Sequence, residues 1–248
     1  MASFEQHQIA ERYHRILNPY SEAKMLLLGE ICRLRPGMRQ LDLACGKGEM
    51  LCRYAQRFGS SGIGVDYFQG FLDDAAARAA ELGVADKVTW VQGDAGIYPA
   101  ERAAFDVVSC IGATWIGGDI HGTIKLMLPA LRPGGLLLVG EPFWADDTPD
   151  DAYEPWGMKK GEYVSLAGTL DRIESVGCTL VEMVLSDRDD WDRYEASQWF
   201  AVDEYLRAHP DDADAQAAYA WKAREKPAYL RYARRYFGWG VFVLRPAL

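Results

Sequence analysis

The chain has 248 residues and carries 27 Lys and Arg against 36 Asp and Glu, a formal charge of −9. That length suits a single unit with ample core, and the acidic surplus leaves no excess of cations to neutralise a polynucleotide backbone, so the expected partners exclude nucleic acid. The five cysteines, Cys32, Cys45, Cys52, Cys110 and Cys178, form no C-x-x-C pair, which signals neither a disulfide framework nor a zinc site and points to a reducing cytoplasm; no signal-peptide core and no membrane-length apolar run is read either.

In chain order, residues 1–37 read as an N-terminal helical lid. "FEQHQIAERYHRIL" and "SEAKMLLLGEICRL", the latter capped by Ser21, flank an Asn-Pro turn. Residues 38–185 read as an α/β core in which apolar runs alternate with helical patterns. The strands are "QLDLA", "GIGVD", "VTWVQGD", "FDVVSCIG" and "GLLLVGE"; the helices are "EMLCRYAQRF", "FLDDAAARAAEL" and "TIKLMLPAL". Near-continuous apolar strands separated by helices predict a mostly parallel, doubly wound sheet covered on both faces. After Glu141 a loop, a helix "SLAGTLDRIESVG" and a strand "CTLVEMVL" follow. Residues 186–237 then carry two aromatic helical patterns, "WDRYEASQWFAVDEYLRAH" and "PAYLRYARRYF", joined by an acidic "HPDDADAQ" connection, before a final strand in 238–248. Seven of the eight tryptophans follow residue 110, so the early half is expected to hold a cofactor and the later half to shape a second pocket.

The stretch "LDLACGKGEM" places Asp42, Gly46 and Gly48 after the first strand, the position where nucleotide-containing ligands meet such a sheet. Leu51 stands where a dinucleotide fingerprint needs its third glycine, and no P-loop spacing is present, so NAD, ATP and GTP fit poorly. Asp42, Glu49, Asp66 and Asp94 make the loop region acidic. That charge suits a ligand with a cationic centre, an amino-acid tail, a ribose diol and no phosphate: S-adenosylmethionine. A carboxylate ending the second strand, Asp66, can accept both ribose hydroxyls.

Taken together, "LDLACGKGE", the acid of "GVD", "GDA", "FDVVSCIGA" and "LRPGG" resemble the class I S-adenosylmethionine-dependent methyltransferases, with their Rossmann-like sheet and antiparallel last strand. "HRILNPYSEAK", "GATWIGG", "GEPFW", "VEMVLSDRDDWDRYEASQW" and "FGWGVF" extend the resemblance to the bacterial YjhP-like subgroup over nearly the whole chain. It implies that Asp42, Gly46 and Gly48 hold the methionine portion, that Asp66 holds the ribose, that Asp94 and Ala95 face the adenine, that Cys110 and Ile111 line the pocket, and that Ala44 and Tyr67 also bind the cofactor. Lys47, beside a sulfonium, is expected to point to solvent.

The acceptor is expected to be a small molecule methylated at oxygen or nitrogen, because "SCIGATWI" lacks the Asn/Asp-Pro-Pro-aromatic tetrapeptide of nucleic-acid amino methyltransferases and no Pro-Cys nucleophile is present. A monomer or homodimer is expected. Glu141, read as ending the fifth strand, and His14 on the lid are the candidate catalytic residues. Tyr13, Tyr20, Trp115, Trp144, Tyr194 and Trp199 are the candidates for framing the acceptor. Competing readings are a dehydrogenase, a cofactor-binding scaffold without turnover, and a thiol-dependent metalloid methyltransferase using Cys45, Cys52 and Cys110.

Overall fold

The computed structural model describes residues 3–247. Residues 1, 2 and 248, which belong to the expected N-terminal and final-strand segments, lie outside the described residues.

Seven strands form one sheet: β1 (Arg39–Leu43), β2 (Ser61–Asp66), β3 (Val88–Gln92), β4 (Phe105–Ile111), β5 (Leu131–Trp144), β6 (Cys178–Leu185) and β7 (Phe237–Pro246). Their spatial order is β3-β2-β1-β4-β5-β7-β6. The first five pair in parallel, whereas β7 runs antiparallel to both β5 and β6. The doubly wound reading therefore holds, with the reversal confined to the β7 end.

Helices cover both faces: α1 (Phe4–Ala10), α2 (Glu22–Ile31), α3 (Glu49–Phe58), α4 (Gln69–Glu81), α5 (Ile120–Met127), α6 (Leu166–Glu174), α7 (Arg188–Ala208) and α8 (Ala213–Ala228). Because successive strand residues point to opposite faces, Val108 and Leu137 join Ile120, Ile124 and Met127 of α5 on one side. Val107 and Leu138 join Met25, Leu28 and Tyr54 on the other. Each is a dry apolar layer, the main source of the sheet's stability.

Three elements depart from the sequence reading. The first helix stops at Ala10 rather than continuing to Leu17. Past that point the Glu11 and His14 side chains bond to α7 residues Tyr194, Gln198 and Ser197, and the chain turns to lay Leu17 over Gly46 and Asn18 over Gly112, just after the end of β4. The fifth strand does not end at Glu141. It continues to Trp144, because β7 pairs with it through Phe143↔Gly238 and Trp144↔Phe237. Pro142 is tolerated there since β4 ends opposite Gly140, leaving β5 a single neighbour. Finally, α8 begins at Ala213, where Asp212 caps it by accepting from the Asp214 and Ala215 amides. Pro227 lies inside it and is followed by a π-turn over Tyr229–Ala233.

Between β6 and β7, α7 and α8 pack on each other and on α1. Ile9, Ala10, Val202 and Ala218 form their shared apolar seam. The three helices make a roof beside the carboxyl ends of the parallel strands.

Candidate functional site

The glycine loop connects β1 to α3. Ala44, Gly46 and Gly48 all have positive φ, at 58°, 53° and 65°, a conformation that costs little only for glycine. A Cβ on Gly46 would meet Leu17 Cδ1 at 2.8 Å, and one on Gly48 would meet Trp90 at 2.3 Å. The loop is thus packed from the lid side and from the β3 side. Asp66, at the end of β2, ties it down: its Oδ2 accepts from the Gly46 amide at 2.8 Å and its Oδ1 from the Phe68 amide at 3.0 Å. Burial raises the Asp66 carboxyl, and those two amides oppose the rise.

Asp42, at the end of β1, is buried and accepts a hydrogen bond from Ser109 Oγ at 2.6 Å. Burial pushes its carboxyl up to about 7 against the pull of Ser109. Such a group is poised to become fully ionised when a cation approaches.

A cavity of about 860 Å³ starts at this loop and runs beneath the roof. Asp42, Ala44, Gly46, Asp66, Tyr67, Asp94, Ala95 and Ile111 line its sheet side. Asp94 Oδ1 accepts from the Gly96 amide at 2.8 Å, fixing the turn after β3. Tyr20, stacked on Trp239 at 5.0 Å between centroids, lines it together with Tyr194 and Trp115. Trp115 is largely exposed and stands at the rim.

Several expected residues lie elsewhere. Gly48 does not line the cavity; it holds the left-handed position from which α3 starts. Cys110 is wholly buried in the α5-side layer, on the face of β4 turned from the cavity. Trp144 packs against Tyr153 and Phe237, and Trp199 against Tyr229 with the Lys226 ammonium over its ring; both serve the core under α7 and α8. Tyr13 is half-exposed and bonds to Glu204. His14 faces a separate cleft, its two ring nitrogens engaged by Glu11 and Ser197. Lys47 does not point to solvent. Its ammonium is buried, donating to the Glu11 carbonyl at 3.1 Å and lying 3.2 Å from Asp74.

Glu141 sits one step behind the cavity wall. Its Oε2 accepts from Thr114 Oγ1 at 2.5 Å, and Thr114 itself lines the cavity. Burial pushes the Glu141 carboxyl up to about 7, with the Thr114 hydroxyl opposing. The cysteines behave as protonated apolar groups: burial pushes Cys52 up to about 12 and raises Cys45 and Cys110 far above the usual thiol range. Thiolates, the form that binds soft ions, are therefore suppressed.

The roof side of the cavity is polar, which the sequence reading did not foresee. Glu11 and His7 from α1 and its cap, Glu195 and Gln198 from α7, and Lys222 and Glu225 from α8 all line it. Glu11 Oε1 accepts from Tyr194 Oη at 2.7 Å and Gln198 Nε2 at 3.0 Å, and Lys222 Nζ donates to Glu225 at 3.0 Å. The missed signal was spacing: Glu195 and Gln198 are three apart on α7, and Lys222 and Glu225 are three apart on α8.

The cradle accommodates the group that the resemblance implies. Close backbone approach at Gly46, buried carboxylates at Asp42 and Asp66, and the adjoining acid Asp94 match a ligand with positive charge and a diol. The comparisons agree. Residues 41–135 match the profile of a methyltransferase domain. The Escherichia coli K12 protein YjhP is 41% identical over 95% of this chain and 96% of its own length. A ubiquinone/menaquinone biosynthesis C-methyltransferase, UbiE, of Ectopseudomonas mendocina is 27% identical over 90% of this chain and 83% of its own. The crystal structure of a SAM-dependent methyltransferase from Geobacter sulfurreducens, in complex with S-adenosyl-L-homocysteine, superposes with a TM-score of 0.93 at 43% identity, covering 99% of both chains.

Proposed function

The chain belongs to the YjhP-like class I S-adenosylmethionine-dependent methyltransferases, and from that footing we propose that its acceptor is a small molecule, methylated at oxygen or nitrogen beneath the α1–α7–α8 roof. Its cofactor is S-adenosylmethionine. The observation that carries the acceptor reading is the single cavity of about 860 Å³, which continues from the glycine loop to a polar roof side. It falls within the roughly 300–1,000 Å³ of small-ligand sites, the scale of a cofactor together with a small acceptor.

Bound S-adenosylmethionine supplies a methyl group already activated by its sulfonium. What the protein adds is alignment, charge and exclusion of water. In this reading Ala44 and Gly46 present backbone to the methionine portion, Asp42 faces its positive charge, Asp66 and Tyr67 hold the ribose, and Asp94 and Ala95 bound the adenine. Tyr20, Tyr194 and Trp115 frame the acceptor. Glu141 acts through Thr114 as a positioning residue: the hydroxyl is held in one orientation by the carboxylate, so it offers a lone pair to the cavity. The roof helices and the 11–20 segment cover the site.

Incubating the protein with methyl-labelled S-adenosylmethionine and a cell extract separated by mass tests this reading. Label is expected in the low-mass fraction and is lost with Asp66→Ala. Label in the protein or nucleic-acid fraction would refute the small-molecule acceptor.

A further inference from the structure

Among the described residues, two buried acceptors on the roof side of the cavity have no donor beside them, and one buried donor there, the Trp191 indole N–H, has no acceptor. Glu195 and Gln198 are only 3% and 2% exposed, yet Glu195 Oε2 and Gln198 Oε1 receive no hydrogen bond among the described residues. Lys222 is the nearby ammonium, but it is committed to Glu225 at 3.0 Å and stands 4.0 Å from Glu195. Gln198 has spent its own donor on Glu11. Burial lowers the His7 imidazole, which packs edge-on to Trp221 at 4.7 Å. Buried acceptors left without donors cost free energy and are ordinarily paired.

The charges favour one kind of partner. Three carboxylates, of Glu11, Glu195 and Glu225, face this part of the cavity. Against them stand the Lys222 ammonium and the Arg15 guanidinium, which also lines the cavity but lies 3.3 Å from Glu81; the ring of His14 bonds Glu11 from the far side. Lys47 adds no free cation, because its ammonium is held by the Glu11 carbonyl and Asp74. Burial pushes the Glu195 carboxyl up to about 7, Lys222 and His14 opposing and Glu225 and Glu11 adding to the rise; a neighbouring cation would restore its ionised form. Trp191, Trp221 and Tyr194 line the same space; the Lys222 ammonium already lies over Trp221 at 4.1 Å and the His14 ring stacks on Tyr194 at 4.9 Å, so Trp191 adds the further aromatic wall, a surface that attracts cations.

We infer that the methyl acceptor carries a cationic nitrogen group, an ammonium or similar N–H donor, received by Glu195 and Gln198 between α7 and α8. The inference rests on the small-molecule methyltransferase reading and deepens it. It assigns recognition only: the nitrogen held here is a handle, distinct from the question of which atom receives the methyl group.

The test is calorimetry on the protein saturated with S-adenosylhomocysteine, using ligands that keep the ring and change the charge: 2-phenylethylamine and tryptamine, 3-phenylpropionate and indole-3-propionate, and the alcohols 2-phenylethanol and tryptophol. The amines are expected to bind at least about tenfold more tightly than the carboxylates and alcohols, the scale of a hydrogen bond to a charged group. Glu195→Gln, nearly isosteric, is expected to erase that preference while S-adenosylhomocysteine affinity stays as in the unaltered protein. Equal binding of the three charge types, a carboxylate preference, no binding by either amine, or unchanged amine affinity in Glu195→Gln would each overturn the inference. Should Glu195→Gln fail to fold, the charge preference of the unaltered protein decides alone. Failure of the unaltered protein to bind S-adenosylhomocysteine is a separate result, and it would count against the cofactor assignment instead.

Discussion

Asp66 Oδ2 and the Gly46 amide, 20 residues apart in sequence, are joined by a 2.8 Å hydrogen bond that fastens the glycine loop to the end of β2. One carboxylate therefore shapes the loop and, in the proposed reading, also receives the ribose. Asp66→Ala is expected to weaken S-adenosylhomocysteine binding at least about tenfold and to destabilise the protein by about 1–3 kcal/mol, because two amides lose a charged partner. Calorimetry and denaturant unfolding measure the two effects independently. Unchanged affinity would remove Asp66 from the ribose site even if stability fell.

The buried carboxyls give stability a definite pH dependence. Glu141 has an ordinary value of 4.5 and is pushed up to about 7 in the folded protein. The folded state thus holds the proton more tightly than the unfolded one. Its contribution is fully present below the unfolded value and is lost as pH rises through about 7. Glu141→Gln removes this dependence, so relative to the unaltered protein the variant should gain on the order of 2–3 kcal/mol between pH 4 and pH 8. Urea midpoints at the two pH values provide the comparison. Parallel curves for the two proteins would show that Glu141 is not held protonated.

Catalysis makes a further demand on the same pair. If Glu141 orients the Thr114 hydroxyl toward the acceptor, Glu141→Gln and Thr114→Val should each lower kcat by a factor on the order of 10². The unaltered enzyme should show a pH-rate limb near 7 that Glu141→Gln abolishes. A merely structural pair would move stability and leave the pH-rate profile in place.

Lys47 tests the lid. Its ammonium spans the Glu11 carbonyl and Asp74, so it clamps the end of α1 to α4. Lys47→Met should speed hydrogen exchange across residues 4–14. In the unaltered protein, S-adenosylhomocysteine should slow exchange over residues 11–20, as expected of a segment that closes on a ligand. Identical exchange with and without ligand would mean that this segment is already closed.

Two glycines separate space from backbone strain. Gly37 and Gly48 both have positive φ, 87° and 65°, but a Cβ on Gly37 meets nothing within 4 Å whereas one on Gly48 lies 2.3 Å from Trp90. Gly37→Ala should cost about 1–2 kcal/mol of left-handed strain alone. Gly48→Ala adds overpacking of about 1–3 kcal/mol. Thermal unfolding of the two variants should rank them in that order, and equal losses would show that Trp90 yields freely.

The sheet was legible because its strands are near-continuous apolar runs separated by helical patterns. "EMLCRYAQRF" and "CTLVEMVL" coincide with α3 and β6, where a helical stripe and a short β-branched run speak without tertiary help. The end of β5 was not legible: Pro142 reads as a turn, and only the distant β7 keeps the strand going. The start of α8 was hidden because its buried face is built from Ala215 and Ala218, residues too small to stand out as an apolar stripe. The glycine loop and Asp66 announced themselves through spacing. Glu195, Gln198 and Lys222 did not, since charged residues on a helix read as a solvated face until three helices close around them.

Helices α7 and α8 enter and leave the sheet at one place. Leu185, the last residue of β6, pairs with Gly240 of β7, and the Ser186 amide donates to the Trp239 carbonyl at 3.0 Å. The intervening segment therefore departs from and returns to adjacent strands, so its replacement would require no new crossing of the sheet. Chain insertions with neighbouring ends are the ones proteins exchange most readily. In the proposed reading evolution can treat this segment as a cassette, altering what is methylated while the strands stay as they are, and chimeras joined after Leu185 and before Phe237, the first residue of β7, would let an experimenter do the same.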